Sequence, residues 1–123
     1  MLFRSGLGYD VGDPVVVPDD IAAIQSALRA AVADGVDLVV TTGGTGVSPM
    51  DVTPEATLPI LERLLPGIPE ALRANARDAV PTADLSRGLA GVTGRSLIIN
   101  LPGSPGAVRD GLAVIERSEE HTS

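Results

Sequence analysis

Short apolar runs, each followed by a polar turn, predict four β-strands in this chain of 123 residues. Each run is only three or four residues long and contains β-branched side chains, which is typical of buried strands. The runs lie at residues 15–17, 38–40, 89–92 and 97–100. The last two runs flank Thr93 and Gly94, so we expect them to form a hairpin-like pair.

Apolar residues that recur at three- and four-residue spacing predict helices between and after these strands. Asp19 and Asp20 precede the first helix, where at least one of the carboxylates is expected to cap it, and Asp34-Gly35 ends it. Further helices are predicted at residues 58–65, 69–77 and 107–116.

The segment 15–40 reads as strand, helix and strand, which predicts a βαβ unit with two parallel strands and a right-handed crossover. The turn at Pro18-Asp19 and the segment after residue 40 would then meet at the C-terminal edge of the sheet. Because α/β proteins bind ligands at that edge, we expect the functional site there. The fold class predicted from the pattern is α/β.

The segment Thr41–Gly46 has three glycines in its last four residues and directly follows a predicted strand. Glycine allows a positive φ angle and a close backbone approach, and successive N–H groups in such a turn can bind an anion. The lone carboxylate of Asp51 follows. Thr53 is then predicted to cap a helix, with Pro54 at its first position and Glu55 near its positive end.

An ordinary turn is the alternative interpretation of these glycines, because neither the P-loop pattern, which needs a lysine, nor the dinucleotide fingerprint is present.

The composition of the chain excludes several classes of partner and site. The net charge is −7, which argues against binding nucleic acid or an anionic membrane surface. The absence of cysteine excludes disulfides and thiolate metal sites and fits a cytoplasmic protein. No apolar run is long enough to span a membrane.

The string TGGTG at residues 42–46, followed by DVTPEAT at 51–57, resembles the MoaB/Mog family of molybdenum-cofactor biosynthesis proteins, the molybdopterin adenylyltransferases. The resemblance implies a three-layer α/β/α fold with a mostly parallel sheet. It also implies adenylylation of molybdopterin by Mg²⁺-ATP with release of pyrophosphate. A cytoplasmic homotrimer is implied as well, with a molybdenum-insertion protein as a further partner.

The same resemblance assigns site residues. Asp51 and Asp19 are implied as the catalytic, Mg²⁺-binding carboxylates. The implied substrate- and nucleotide-binding residues are Gly43, Gly44, Thr45, Gly46, Ser86, Asn100, Pro102, Gly103 and Ser104. For Arg87 and Arg95, a phosphate contact and a solvated surface position stay open. Arg29, Arg63, Arg73 and Arg77 lie in predicted helices and are expected at the surface.

Two other functions stay open at this point. One is a catalytically silent molybdopterin-binding or scaffold protein of the same fold, against which the presence of both Asp19 and Asp51 argues. The other is a competence-damage-type nucleotide pyrophosphatase domain, which has a related turn. Thr45, Val47 and Ser48 favour the adenylyltransferase over that domain.

The two ends of the chain match a sequencing adapter. Residues 117–123 are encoded by AGATCGGAAGAGCACACGTCT, and residues 1–5 by GTGCTCTTCCGATCT, the reverse complement of the start of the same sequence. We therefore expect both ends to be foreign and residues 6–116 to form one partial domain. We also expect the family's first strand and most of its first helix to be missing.

Overall fold

A five-stranded mixed sheet forms the centre of the fold. The structure, a computed structural model, describes residues 2–5, 13–104, 106, 109, 111 and 113–115. The strands are β1 (Leu2–Ser5), β2 (Leu38–Thr42), β3 (Arg63–Leu64), β4 (Ala90–Thr93) and β5 (Ser96–Leu101), in the order β1-β2-β5-β4-β3. Only β2 and β5 pair in parallel within this described sheet. The α/β class is confirmed, but the sheet is mixed rather than mostly parallel.

Helices cover both faces of the sheet. They are α1 (Ile21–Ala33), α2 (Thr53–Thr57) and α3 (Gly67–Ala76), with single 3-10 turns at Leu58–Ile60 and Ala83–Leu85. A last helix is described at positions 106, 109, 111 and 113–115. Much of the helix predicted at 107–116 therefore lies outside the described residues. None of the helices in the described part of the chain has the length and apolar character needed to cross a membrane.

Two hydrophobic clusters, one on each face of the sheet, hold the three layers together. On one face Ile24 and Leu28 of α1 pack against Val39 and Ile98. On the other face the cluster comprises Leu38, Val40, Ala90, Ile99, Leu101 and Ile115, with Ile68 and Leu72 of α3 against it. Neighbouring residues of β2 and β5 thus point to opposite faces, so the predicted three-layer arrangement is confirmed.

The helix predicted to start after Asp19 and Asp20 is confirmed as α1. Asp20 is its N-cap, and its Oδ2 accepts a hydrogen bond of 2.9 Å from the N–H of Ala23. The hairpin predicted around Thr93 and Gly94 is also confirmed, because β4 and β5 pair antiparallel from Thr93–Ser96 inward. In contrast, the N-cap of α2 is Val52 and no side chain caps that helix, so the predicted capping role of Thr53 is wrong.

The strand predicted at residues 15–17 is wrong, and with it the parallel βαβ unit. Val15 forms only an isolated bridge, and Val15 and Val16 are 43% and 80% exposed. Val17 alone of the three packs against the core cluster beside α1. A strand at residues 15–17 would have to pair with the edge of β2, but β1 occupies that edge. The two strands pair antiparallel, with Leu2 opposite Thr41 and Ser5 opposite Leu38. Residues Leu2–Ser5, which belong to the segment expected to be foreign, therefore form the edge strand.

The helix predicted at residues 58–65 is also wrong. The 3-10 turn Leu58–Ile60 ends at Leu61, whose backbone is extended (φ −73°, ψ 130°), and β3 follows. Arg63 and Leu64 pair antiparallel with Val92 and Gly91. Apolar periodicity could not reveal this strand, because its backbone conformation is fixed by partners 27 and 29 residues later in the chain.

Close packing of β3 on β4 depends on Gly91. A Cβ atom at this position would lie 2.4 Å from the carbonyl oxygen of Arg63 and 2.8 Å from Leu61 Cδ1. We therefore expect Gly91→Ala to lower the free energy of unfolding by about 1–3 kcal/mol, measured by urea denaturation. Gly67→Ala is the matched control, because a Cβ atom at that position would have nothing within 4 Å. Equal stabilities of the two variants would contradict this account of the β3–β4 contact.

Candidate functional site

A cavity of about 500 Å³ opens where the parallel strands β2 and β5 end. The glycine segment after β2 and the turn after β5 form one side, and α3 with the following 3-10 turn forms the other. Ten of the eleven residues predicted for the site line it: Gly43, Gly44, Thr45, Gly46, Asp51, Ser86, Asn100, Pro102, Gly103 and Ser104. The expectation that the site lies at the C-terminal edge of the sheet agrees with this position.

Gly43 and Gly44 turn the chain sharply out of β2. Both have positive φ angles, 88° and 69°. The N–H of Gly43 donates to the carbonyl of Leu101 (2.9 Å), and the N–H of Thr53 donates to the carbonyl of Gly44 (3.1 Å). These two bonds tie the turn to β5 on one side and to α2 on the other. The turn is therefore held in place before any ligand binds.

The next N–H groups of the turn are uncommitted. No acceptor within the described part of the chain takes a hydrogen bond from the N–H of Gly44, Thr45 or Gly46. Buried or half-buried N–H groups are normally satisfied, so successive uncommitted donors beside a cavity favour an anionic ligand. This geometry supports the predicted phosphate-binding role of the turn over an ordinary turn.

The carboxylate of Asp51 lies directly against this turn. Its Oδ2 accepts a hydrogen bond from the N–H of Ser48 (3.0 Å), and its own N–H donates to the carbonyl of Ser48 (2.9 Å). A Cβ atom at Gly46 would lie only 2.8 Å from Asp51 Oδ2, so the glycine makes this approach possible. A fixed carboxylate beside an anion-binding turn is favourable when a cation lies between them.

Asp19 does not line the same cavity. It borders a separate space of about 30 Å³, together with Thr41, Thr42 and Thr53. No group of three or more acidic or histidine side chains that could hold a metal ion occurs among the described residues. The structure thus brings Asp51, but not Asp19, together with the glycine turn.

Arg87 holds the turn from outside the cavity, a role that was not foreseen from the sequence. Its Nε donates to the carbonyl of Gly46 (2.8 Å) and its Nη2 to the carbonyl of Asp51 (2.6 Å). Its Nη1 pairs with Glu55 Oε2 at 2.5 Å. The guanidinium therefore joins both ends of the 46–51 segment to α2. Arg95 pairs with Asp37 (2.6 Å) before β2 begins, at the opposite end of the sheet from the cavity.

Acidification is expected to weaken the clamp that Arg87 forms by pairing with Glu55 and holding the carbonyls of Gly46 and Asp51. The hydrogen bond from Arg87 holds the pKa of Glu55 below its ordinary 4.5 in the folded protein. The clamp therefore contributes fully above the pKa of the unfolded chain, and this stabilisation is lost as the pH falls through the folded pKa. We expect Glu55→Gln to be slightly less stable than the wild type in urea at neutral pH and equal to it in strong acid. A stability difference that persists in strong acid would contradict this role.

Asn100 connects the elements beneath the turn rather than projecting an unpaired amide. Its Nδ2 donates to the hydroxyls of Thr41 (2.9 Å) and Thr57 (3.2 Å), and its Oδ1 accepts from the N–H of Leu89 (3.1 Å). The residue is 2% exposed. A buried and satisfied amide of this kind fixes the relative positions of β2, β5 and α2.

Arg73 lines the cavity, although it was expected at the surface with the other helical arginines. Its Nη1 donates to the carbonyl of Ser86 (3.2 Å). The signal was available in the sequence: Arg73 lies four residues after Pro69 and three before Ala76, and both of these residues also line the cavity. The face of α3 toward the cavity is thus mostly apolar, with one cation, Arg73, and one neutral amide, Asn75.

Comparisons with known proteins agree with this site. A family model described as "Probable molybdopterin binding domain" matches residues 2–119. A molybdopterin adenylyltransferase from Helicobacter pylori strain J99 is 52% identical over 79 residues, which are 64% of this chain and 45% of that protein. The chain therefore spans about half the length of this relative.

Solved structures resemble this fold over most of the chain. A structure of MogA superposes with a TM-score of 0.87 at 50% identity, covering 93% of this chain and 75% of that one. A molybdopterin biosynthesis protein from Mycobacterium abscessus superposes with a TM-score of 0.79 at 56% identity, covering 82% and 65% of the two chains. The chain belongs to the MoaB/Mog family of molybdenum-cofactor biosynthesis proteins.

Proposed function

We propose that the protein catalyses the adenylylation of molybdopterin by ATP, with release of pyrophosphate. One observation carries the proposal: the uncommitted N–H groups of the glycine turn and the carboxylate of Asp51 border the same 500 Å³ cavity. Such a site suits phosphate groups with a cation, which are the reacting parts of ATP. Relatives named molybdopterin adenylyltransferase supply the identity of the second substrate.

The reaction transfers AMP between two phosphates. An anionic phosphate oxygen of molybdopterin attacks the α-phosphorus of ATP and forms a new P–O–P bond. The bond from the α-phosphorus to its bridging oxygen breaks, and pyrophosphate leaves with the electron pair. Because the nucleophile is already anionic, the protein needs mainly to position both phosphates and to stabilise their charge.

The residues of the cavity divide this work. The N–H groups of Gly44, Thr45 and Gly46 would hold phosphate oxygens in the geometry that the tied turn fixes. The hydroxyls of Ser86 and Thr45, which lie 3.4 Å apart, would donate to the same group. The apolar wall, which includes Leu72, Val80 and Leu85, would limit the access of water to the α-phosphorus.

The oxygen donors at the cavity suit a Mg²⁺ ion that is bound jointly by the protein and by the phosphate groups of the substrate. Mg²⁺ prefers one or two carboxylates together with water and phosphate oxygens, so a three-acid cluster is not needed. Asp51 would supply the carboxylate in the cavity. For Asp19, which borders the separate space, the family resemblance alone supports a role as a second carboxylate. When bound, the ion neutralises the charge that accumulates on the phosphate oxygens during transfer.

The family resemblance also underlies proposals about the setting of the reaction. We propose a cytoplasmic homotrimer that passes its product to a molybdenum-insertion protein. Light scattering coupled to size-exclusion chromatography tests the trimer, for which the expected mass is three times that of one chain. A monomeric or dimeric mass would contradict it.

An assay of the products tests the proposed function. The protein is incubated with ATP and Mg²⁺, with and without molybdopterin, and pyrophosphate and AMP are measured. An adenylyltransferase releases pyrophosphate only when molybdopterin is present, and the AMP remains covalently attached. Free AMP formed without molybdopterin would favour the pyrophosphatase, and molybdopterin binding without pyrophosphate release would favour the silent binding protein.

A further inference from the structure

We propose that Arg73 binds a phosphate group of the substrate from the α3 side of the cavity. The proposal rests on the proposed function for the identity of that substrate. Arg73 is the only basic residue among those that line the cavity in the described part of the chain. The protein as a whole carries a net charge of −7, so the surrounding field does not attract an anion. A cation in the cavity wall is therefore the feature that offsets this charge locally.

The guanidinium of Arg73 retains donors for a ligand. Toward the described residues it makes one hydrogen bond, from Nη1 to the carbonyl of Ser86 at 3.2 Å. The three ion pairs recorded between described residues involve Arg77, Arg87 and Arg95, and none involves Arg73. Because a guanidinium carries five N–H donors in a planar fork, the bond to Ser86 fixes its position and leaves further donors for two phosphate oxygens.

Ser86 places this cation beside the glycine turn. The carbonyl of Ser86 accepts from Arg73, while the hydroxyl of the same residue donates to Thr45 Oγ1 at 3.4 Å. Ser86 therefore contacts both the guanidinium of Arg73 and Thr45, which belongs to the turn whose N–H groups are uncommitted. A phosphate bound by these N–H groups lies within reach of a fork anchored on Ser86. A planar guanidinium can donate to two phosphate oxygens at once in a fixed geometry, whereas an ammonium group lacks this paired geometry.

A purely structural role is the alternative. Arg73 lies in the last turn of α3, where a cation interacts favourably with the helix dipole. Arg77, the C-cap of α3, also lies at this end and pairs with the exposed carboxylate of Asp84 (2.7 Å). Arg77 does not line the cavity, so it provides a matched control for loss of positive charge at the end of this helix.

Calorimetric titration with inorganic pyrophosphate and, separately, with adenosine tests the proposal. We expect Arg73→Gln to bind pyrophosphate about 10- to 100-fold more weakly than the wild type, as expected for loss of a charge-assisted contact. Arg73→Lys should recover only part of the affinity. Arg77→Gln should bind pyrophosphate like the wild type. Adenosine has no phosphate, so its affinity should be unchanged in all three variants.

Three results would overturn this role for Arg73. They are equal pyrophosphate affinities of Arg73→Gln and Arg77→Gln, an equal weakening of adenosine and pyrophosphate binding, and failure of the wild type to bind pyrophosphate. The proposed function can fail separately. Arg73-dependent pyrophosphate binding without transfer of AMP to molybdopterin would support this inference and reject the adenylyltransferase.

Discussion

Replacement of Asp51 by asparagine is expected to lower the rate of AMP transfer by about 100-fold or more. The substitution preserves the shape of the side chain and an oxygen that can accept from the N–H of Ser48, but it removes the negative charge. Loss of one preorganised electrostatic contact at a reacting phosphate has an effect of this size. Initial rates of pyrophosphate release at saturating ATP and Mg²⁺ measure it.

The control for this substitution is Asp37→Asn. Asp37 is also an aspartate next to β2, but it precedes the strand and pairs with Arg95 at the opposite end of the sheet. The same loss of one negative charge there should leave the rate of transfer within about twofold, because the charge is distant and screened. Unchanged turnover in Asp51→Asn, with the folded state intact, would exclude the role proposed for Asp51.

Gly44→Val is expected to abolish the binding of ATP and molybdopterin. A Cβ atom at this position would lie 2.3 Å from Thr53 Oγ1, and the φ angle of +69° is unfavourable for valine. The turn would therefore have to move away from α2, which displaces the N–H groups proposed to hold phosphate. The backbone strain alone is expected to cost roughly 1–3 kcal/mol of stability.

Gly94→Val separates strain from binding. Gly94 also has a positive φ angle, +57°, but a Cβ atom there would have nothing within 4 Å, and the residue belongs to the turn between β4 and β5, away from the cavity. Titrations at a temperature where both variants are folded should show normal affinity for Gly94→Val and none for Gly44→Val. Normal affinity of a folded Gly44→Val variant would contradict the phosphate-binding role and show that the glycine segment is an ordinary turn.

Local signals in the sequence were sufficient for much of the fold. The cap at Asp20 and the apolar spacing of α1 are properties of one continuous segment, and so is the turn between β4 and β5. The site residues, in contrast, were assigned from the family resemblance, and the structure brings ten of the eleven together at one cavity. Glycine turns after β2 and β5 meet whenever these strands are parallel neighbours, and they are.

Partners that are distant in sequence decided the features that were predicted wrongly. Residues 15–17 have strand composition, but β1 occupies the edge of β2 that they would need. Arg63 and Leu64 lie in an apolar segment that suits a helix, and only the antiparallel pairing with β4 makes them a strand. The clamp made by Arg87 has the same origin, because it joins residues 32 and 36 positions apart.

The most direct test of the proposed function follows the α-phosphorus of ATP into molybdopterin. ATP labelled at the α-phosphate is incubated with Mg²⁺, molybdopterin and either the wild type or Asp51→Asn, and the pterin product is isolated. We expect the wild type to form labelled, adenylylated molybdopterin with one pyrophosphate released per product, and Asp51→Asn to form it about 100-fold more slowly or less. No label in the pterin fraction from the folded wild-type protein would contradict the assignment of this cavity as an adenylyltransferase site.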